Sequence, residues 1–303
     1  MEFLGILIIV FLSSFAGTWL AKRYALTKQI IDIPNARSSH LLPTPRGGGI
    51  TFVVVFLSAV IFFTYIGVLG LHISWLLFVS IAMVVVTSFY DDRRALSPLL
   101  RGIVQLAAAC LVIYAFKPLP NLNLYIIKIP SGVFMYALIA LYIVWLLNLY
   151  NFMDGINGIA SIEALTVCCG MIIIYWLNGN LPMAFLSAIL FASVLGFLPW
   201  NFPKAKIFMG DVGSSFLGFV LVLFSLEALT IQQELFWSCL VLLGVFIVDA
   251  SVTLWQRVIS GEKLYIAHCR HAYQHAARKY NSHTPVTFGV LIINMVWLLP
   301  IAI

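Results

Sequence analysis

The sequence predicts an all-α integral membrane protein of about ten transmembrane helices, with residues 1–303 forming a single polytopic domain. Three observations carry that reading. The chain is 62% hydrophobic and only 9% charged, with a mean hydropathy of +1.05, far from the balance of a soluble domain. Its apolar runs repeatedly reach about 18 residues or more, the length that spans hydrocarbon. The runs also lack the alternation of barrel strands, and a segment in lipid must close its backbone hydrogen bonds as a helix or a barrel, so helices remain.

The spans follow in order, with ends placed to within a few residues. The first, about 3–21, has no Lys or Arg before it and Lys22-Arg23 after it. That is the reverse of a secretory leader, so it reads as a retained helix that starts outside. The second, about 47–69, opens on Pro43-Thr44-Pro45-Arg46-Gly47-Gly48-Gly49, and the third, about 73–90, runs without interruption into Asp91-Asp92-Arg93-Arg94. Ser97-Pro98 reads as an N-cap with proline at the first helical position ahead of the fourth span, about 101–117. The fifth, about 132–150, runs into Asn148-Leu149-Tyr150-Asn151-Phe152-Met153-Asp154-Gly155-Ile156-Asn157-Gly158, and the sixth, about 157–177, leaves it. The seventh, about 182–198, precedes the stretch Asn201 to Ser215, which holds Asp211 between Gly210 and Gly213 and starts the eighth, about 213–230. The ninth and tenth, about 234–256 and 286–303, flank the longest polar segment, Arg257 to Pro285.

Charge sets the orientation. With the N-terminus outside, the inner loops collect fifteen of the seventeen Lys and Arg, from Lys22, Lys28, Arg37 and Arg46 to Lys263, Arg278 and Lys279. Only Lys117 and Lys128 fall outside. Positive-inside asymmetry therefore places both termini outside and the polar loops at the cytoplasmic face. Asp32, Asp91, Asp92, Asp154 and Asp211 land on that same face, in four different loops. Carboxylates in loops that also host the cations point to one site.

Each loop carries its own chemistry. The Gly47-Gly48-Gly49 run exposes backbone N–H groups at a helix start, which reads equally as a phosphate cradle or as a plain turn. Asp32-Ile33-Pro34-Asn35 lies upstream in the same loop, and Arg46 counts among the substrate-binding residues. Asp91 and Asp92 oppose the dipole at a helix C-terminus, at about 0.3–1 kcal/mol each, and call for Arg93, Arg94 or a divalent cation to offset that. A carboxylate pair suits Mg²⁺, with Mn²⁺ as a substitute. Arg101 and Gln105 sit one helical turn apart. Asp154 reads as a helix cap or a functional acid. Asn151 and Asn157 offer amides that both donate and accept, and Phe152 offers a face for a planar ring. Asp211 suits a cation on a tight turn, with the helix start at Ser214-Ser215 for accompanying phosphate oxygens. His268, His271 and His275, spaced by three and four, would share a helix face. Arg270 among them favours an anion over zinc. The five cysteines show no disulfide or zinc spacing, and Glu163 and Asp249 lie inside spans with no readable role.

Together these groups describe a site for a metal–diphosphate ligand at the inner membrane boundary, where a water-soluble phosphorylated substrate can meet a lipid one. Phosphoryl transfer needs mainly positioning and charge neutralisation, which these residue types supply.

In order and on one face, these motifs resemble the polyprenyl-phosphate N-acetylhexosamine-1-phosphate transferases, the bacterial glycosyltransferase family 4. The resemblance runs over nearly the whole chain, through the Pro-Arg-Gly-Gly-Gly turn, Asp91-Asp92 with Arg101 and Gln105, Asn151 to Gly158, Met209 to Ser215 and the histidine loop. It implies that Asp211 is the principal Mg²⁺ ligand and that Asp91 and Asp92 are the acidic pair, the first assisting the lipid phosphate. It also implies that Asn151 and Asp154 belong to the nucleotide and catalytic region and that Arg101 lies near a uracil pocket. His271 best matches the histidine motif, with His268 and His275 as rivals. Two positions depart from the pattern: Asn157 stands where many members have Asp, and Arg270-His271-Ala272-Tyr273-Gln274 replaces a run of adjacent histidines.

The implied reaction is attack of undecaprenyl phosphate on the β-phosphorus of a UDP-N-acetylsugar or its 6-deoxy form, releasing UMP and starting O-antigen or a related surface glycan. Direct attack and a covalent Asp–phosphoryl intermediate both fit the sequence. The implied location is the bacterial inner membrane, among membrane lipids, with room for a homodimer and no nucleic-acid partner. The alternative, an ion-coupled transporter, would place its carboxylates near the bilayer midplane on broken helices, whereas here they cluster at one face.

Overall fold

The structure, a computed structural model, describes residues 2–34, 39, 42–67, 75–94, 96–124, 127–262 and 268–303. Asn35, Arg37, Lys263 and the expected span ends at 69 and 73 lie outside the described residues. The chain is a helical bundle: α1 (Glu2–Thr27), α2 (Gly49–Tyr65), α3 (Trp75–Asp91), α4 (Pro98–Ala115), α5 (Val133–Met153), α6 (Ile159–Leu177), α7 (Leu181–Asn201), α8 (Asp211–Ile231), α9 (Gln233–Leu242), α10 (Gly244–Ile259), α11 (Ala272–Tyr280) and α12 (Thr284–Ile292). After α12 a π-helical turn, Ile293–Leu298, leads into a last short helix, Leu299–Ala302.

All ten expected segments fall on helices, and the fold is that of a multi-pass membrane protein. Among the described residues seven helices are long and apolar enough to cross a membrane, or eight spans if α9 and α10, bent by 71° at Leu243, count as one, against the ten expected. The bend corrects the continuous helix expected over 234–256. The helices α2 and α3 stop at 17 residues each. Among the described residues the chain also forms two small antiparallel ribbons that the hydropathy did not signal. In one, β1 (Ile31–Asp32) pairs with β2 (Thr44–Pro45); in the other, β3 (Leu122–Leu124) pairs with β4 (Ile127–Ile129).

The helix α8 is the axis of the bundle. It is apolar all round, as a helix surrounded by protein must be, and 94% of its spanning window is buried, against 17% for α1. Lipid tails are as apolar as leucine, so helices associate here by close packing and not by escape from water. Glycine provides that closeness where α2 meets α8: a Cβ on Gly49 would stand 2.6 Å from the Cα of Gly213. The neighbours of α8 are α5, α3, α9 and α2, so the residues at its N-terminal end are ringed by the ends of several other helices.

Hydrogen bonds tie those ends together. Arg46 ahead of α2 reaches Asp211 at the start of α8, Asn201 at the end of α7 reaches Gly158 ahead of α6, and Tyr273 of α11 reaches the carbonyl of Phe152 in α5. At the opposite end, Gln233 exchanges two hydrogen bonds with the backbone of Asn123 in β3.

Candidate active site

The site begins with a turn. Gly210 enters α8 with φ +79°, and a Cβ there would stand 2.8 Å from Oδ2 of Asp92. This approach seats the Asp92 carboxylate on the first amides of α8, with Asp211 N–H donating to Oδ1 at 3.0 Å and Val212 N–H to Oδ2 at 3.2 Å. An acid at a helix N-terminus is favourable, so the unfavourable end of α3 is offset by the start of α8. Arg46 meets the same point: its Nη2 lies 2.7 Å from Asp92 Oδ1 and 2.8 Å from Asp211 Oδ1. Burial raises the Asp92 carboxyl above its ordinary range, while Arg46 and the two amides act against that. Asp154, just past α5, is raised well above the usual carboxylate range by burial and then by Asp211, with Arg46 opposing. Two carboxylates, Asp92 and Asp211, thus share one guanidinium, and Asp154 lines the same cleft as Arg46 and Asp211.

Asp91 faces the other way. Its Oδ2 lies 2.7 Å from Arg101 Nη1, and its Oδ1 accepts the Leu96 N–H at 2.7 Å. One turn along α4, Gln105 exchanges hydrogen bonds of 3.3 and 2.7 Å with Asn148 of α5. Arg46 and Arg101 therefore offset the acidic pair, where the sequence offered Arg93, Arg94 or a divalent cation. Arg93 instead stacks over the Phe89 ring at 4.2 Å.

Two clefts meet at this point. The larger, about 230 Å³, is lined by Arg46, Asn151, Asp154, Asn157 and Asp211 together with Asp32, Gln274 and His283. The smaller, between α3, α4, α5 and α8, carries Asp91, Arg101, Gln105 and Asn148 beside apolar Val84 and Val104. Asn151 and Asp211 belong to both.

Several expected groups are engaged elsewhere. The Gly48 and Gly49 N–H groups donate to Phe208 O at 2.9 Å and Met209 O at 2.8 Å, so these two amides pair with the loop before α8 and are not free for a phosphate. Ser214 is buried with its hydroxyl on the Gly210 carbonyl, Ser215 is buried but lines the smaller cleft, and the first amides of α8 hold Asp92. The helix α11 begins only at Ala272, so His268, His271 and His275 share no helix face. His271 is buried with Nδ1 3.2 Å from Asp249 Oδ1, and the same carboxylate accepts the Ala272 and Tyr273 N–H groups at 2.9 and 3.0 Å. Asp249 therefore caps α11 from α10, a role that hydropathy alone did not reveal. The half-buried His268 ring packs 4.9 Å from that of His271, and burial, then Arg257 and His271, push its pKa down to about 4. Arg270 pairs with Glu262, and His275 is exposed. None of these four lines either cleft, and neither does Phe152, which is 47% exposed. Glu163 accepts a 2.6 Å hydrogen bond from Asn294 in the bundle core.

Asp32, which sequence reasoning counted with the acids of this face, lines the larger cleft, whereas Asn148, Asn201, Gln274 and His283 line the clefts without having been placed there. Their signal was present but weak. Each is a polar residue beside or within an apolar run, and His283 sits in the histidine-rich loop just ahead of a Thr-Pro helix start.

Among the described residues no three His, Cys, Asp or Glu side chains converge as a ready metal site. Arg46 stands between Asp92 and Asp211, and Asp91 is turned to Arg101. The donor set nevertheless fits a divalent cation. Asp92 and Asp211 share a single guanidinium, which leaves an excess of hard oxygens, and Asp154 and Asp211 both line the larger cleft.

Comparison with known proteins identifies relatives of this chain. The chain is 27% identical over 287 residues to a probable undecaprenyl-phosphate N-acetylglucosaminyl 1-phosphate transferase of Bacillus subtilis, which covers 92% of this chain and 78% of that protein. It is 30% identical over 241 residues to a decaprenyl-phosphate N-acetylglucosaminephosphotransferase of Mycobacterium leprae, covering 71% of this chain but only 58% of the relative. A phospho-N-acetylmuramoyl-pentapeptide-transferase of Streptococcus uberis is 28% identical over 230 residues, 70% of this chain and 66% of its own. The chain thus spans just over half the length of the mycobacterial relative. A family model described as glycosyl transferase family 4 matches residues 74–229, from the start of α3 nearly to the end of α8. Because that match covers more than half of the chain and contains Asp91, Asp92, Asn151, Asp154 and Asp211, the chain belongs to glycosyl transferase family 4.

Proposed function

We propose that this protein transfers an N-acetylhexosamine 1-phosphate, or its 6-deoxy form, from a UDP-sugar to undecaprenyl phosphate at the cytoplasmic face of a bacterial inner membrane. A phosphate oxygen of the lipid bonds to the β-phosphorus, the bond from that phosphorus to the bridging oxygen breaks, and UMP leaves. The observation that carries the reading is the meeting of two unlike clefts at Asn151 and Asp211. The larger, polar one suits the nucleotide sugar; the narrower one, with Arg101 beside Val84 and Val104, suits a phosphate on an apolar chain. The names of the relatives support a polyprenyl phosphate and a sugar phosphate as the two partners.

In this scheme Arg46 and Arg101 neutralise phosphate charge, Asn151 spans the two substrates, and Asp211, Asp154 and Asp92 are the residues that would hold Mg²⁺ or Mn²⁺. When bound, the cation would stabilise the charge on the diphosphate. A phosphate monoester is largely dianionic at neutral pH, its second pKa being about 6. Asp91, held by Arg101, therefore orients the nucleophile more than it removes a proton. The lipid-diphosphate sugar so formed starts O-antigen or a related surface glycan.

The test is transfer of radiolabelled sugar from a panel of UDP-N-acetylsugars into undecaprenyl phosphate, with and without Mg²⁺, in wild type and Asp211→Asn. Metal-dependent lipid product with release of UMP from one donor, lost in the variant, is the expected result. Transport of an intact nucleotide sugar into proteoliposomes without lipid product would sink the reading.

A further inference from the structure

The turn at Asn157-Gly158 has all its polar groups but one held by neighbours. Asn157 N–H donates to His283 Nδ1 at 3.3 Å, and the Asn157 carbonyl accepts from Thr287 Oγ1 at 2.9 Å. Gly158 N–H donates to Asn201 Oδ1 at 2.8 Å, and the Asn157 side-chain Nδ2 donates to Pro203 O at 3.1 Å. His283 and Thr287 lie one helical turn apart at the start of α12, so two side chains of one element grip both sides of the same residue.

The donor and acceptor senses are fixed. His283 Nε2 lies 3.0 Å from the Ser39 carbonyl oxygen, which only accepts, so Nε2 carries the hydrogen. That leaves Nδ1 with the lone pair that the Asn157 amide requires, and the hydrogen-bond network assigns the neutral Nε2–H tautomer. The Asn157 amide is oriented in the same way. Its nitrogen is committed to the Pro203 carbonyl, so Oδ1 is the group without a partner, and both Asn157 and His283 line the larger cleft.

We propose that His283, Thr287 and the Pro203 carbonyl are positioning groups that fix Asn157 so that its Oδ1 is a dedicated acceptor in the larger cleft, selecting an N–H or O–H donor of the nucleotide sugar. This rests on the proposed transferase reading for the identity of the ligand. A consequence follows for an isosteric change: in Asn157→Asp, a carboxylate oxygen replaces Nδ2 and faces the Pro203 oxygen, lone pair against lone pair. The carboxylate must rotate or take up a proton, and the acceptor moves.

Two measurements test this. In protein labelled with ¹⁵N-histidine, a long-range ¹H–¹⁵N spectrum is expected to show His283 as the Nε2–H tautomer; an Nδ1–H tautomer or an imidazolium at neutral pH overturns the assignment. In steady-state kinetics with UDP-N-acetylglucosamine, Thr287→Val, His283→Ala and Asn157→Asp are each expected to raise KM at least tenfold with kcat within threefold. Thr287→Ser, which keeps the hydroxyl, returns KM to within threefold of wild type. If His283→Ala does not fold, His283→Asn, whose Oδ1 can take the Asn157 N–H, is expected to keep KM near that of wild type. Unchanged KM in Thr287→Val, or a fall in kcat alone, overturns the positioning role. Wild type that transfers no sugar from any UDP-sugar sinks the transferase reading and the donor selection with it, while the tautomer measurement still decides the positioning of Asn157.

Discussion

At the scale of single residues, Arg46 joins two acidic helix ends at the site. One nitrogen bridges Asp92 and Asp211, and the side chain also lines the larger cleft. Removing one partner of a buried ion pair costs roughly 3–5 kcal/mol because a charge is left unpaired. Arg46 is 31% exposed, so about 1–3 kcal/mol is expected for Arg46→Gln. The variant should melt lower in detergent and transfer sugar at least tenfold more slowly, with Arg46→Lys recovering part of the stability but not the two-sided contact. His268 gives a second prediction. Its folded pKa of about 4 lies below the unfolded value of about 6.5. The unfolded chain therefore binds the proton first, and stability falls as pH drops from about 6.5 towards 4. His268→Asn should flatten that part of the curve of melting temperature against pH, and an unchanged slope would count against it.

At the scale of elements, the site is built by capping in trans. Asp92 of the α3 terminus caps α8, Asp249 of α10 caps α11, and Asn201 of the α7 terminus bonds the Gly158 amide ahead of α6. Each bond satisfies a helix-start amide and at the same time fixes where one helix end stands relative to another. Asp249→Ala should cost about 1–2 kcal/mol, the range of a lost N-cap. It should also loosen α11, seen as faster hydrogen exchange at Tyr273 and Gln274; unaltered exchange would show that the cap is not what holds the helix. Gly49→Ala tests the closest helix approach, since its Cβ would meet the backbone of Gly213. Overpacking of that kind costs about 1–3 kcal/mol, and the melting temperature reads it directly.

At the scale of the whole molecule, the helix ends divide the protein into a site end and a hairpin end. The proposed orientation puts the site end in the cytoplasm. A cysteine at Lys204, near the larger cleft, should then react with an impermeant maleimide only in inverted vesicles, and one at Asn123 only in intact cells. Labelling of Lys204→Cys from outside would reverse the assignment. The one-sidedness also explains how 62% hydrophobic composition coexists with a dense polar site: the cost of carboxylates in lipid is avoided by keeping them at helix ends and answering them with Arg46, Arg101 and backbone amides.

The sequence by itself determined the helical membrane class, the approximate spans and the end of the bundle to which Arg46, Asp91, Asp92, Asn151, Asp154, Asn157 and Asp211 belong. Hydropathy and polar breaks are local properties of the chain, so they survive without knowledge of packing. The tertiary structure alone decided the partnerships. Arg46 meets Asp211 across 165 residues, Asp91 lines the smaller cleft while the adjacent Asp92 is seated on the first amides of α8, and His283 reaches the larger cleft while His271 is buried against Asp249. The bend between α9 and α10, the late start of α11 and the engagement of the Gly48 and Gly49 amides are of the same kind. At a helix end the backbone and side chains take their partners from whichever element packs alongside, and those elements are remote in the sequence.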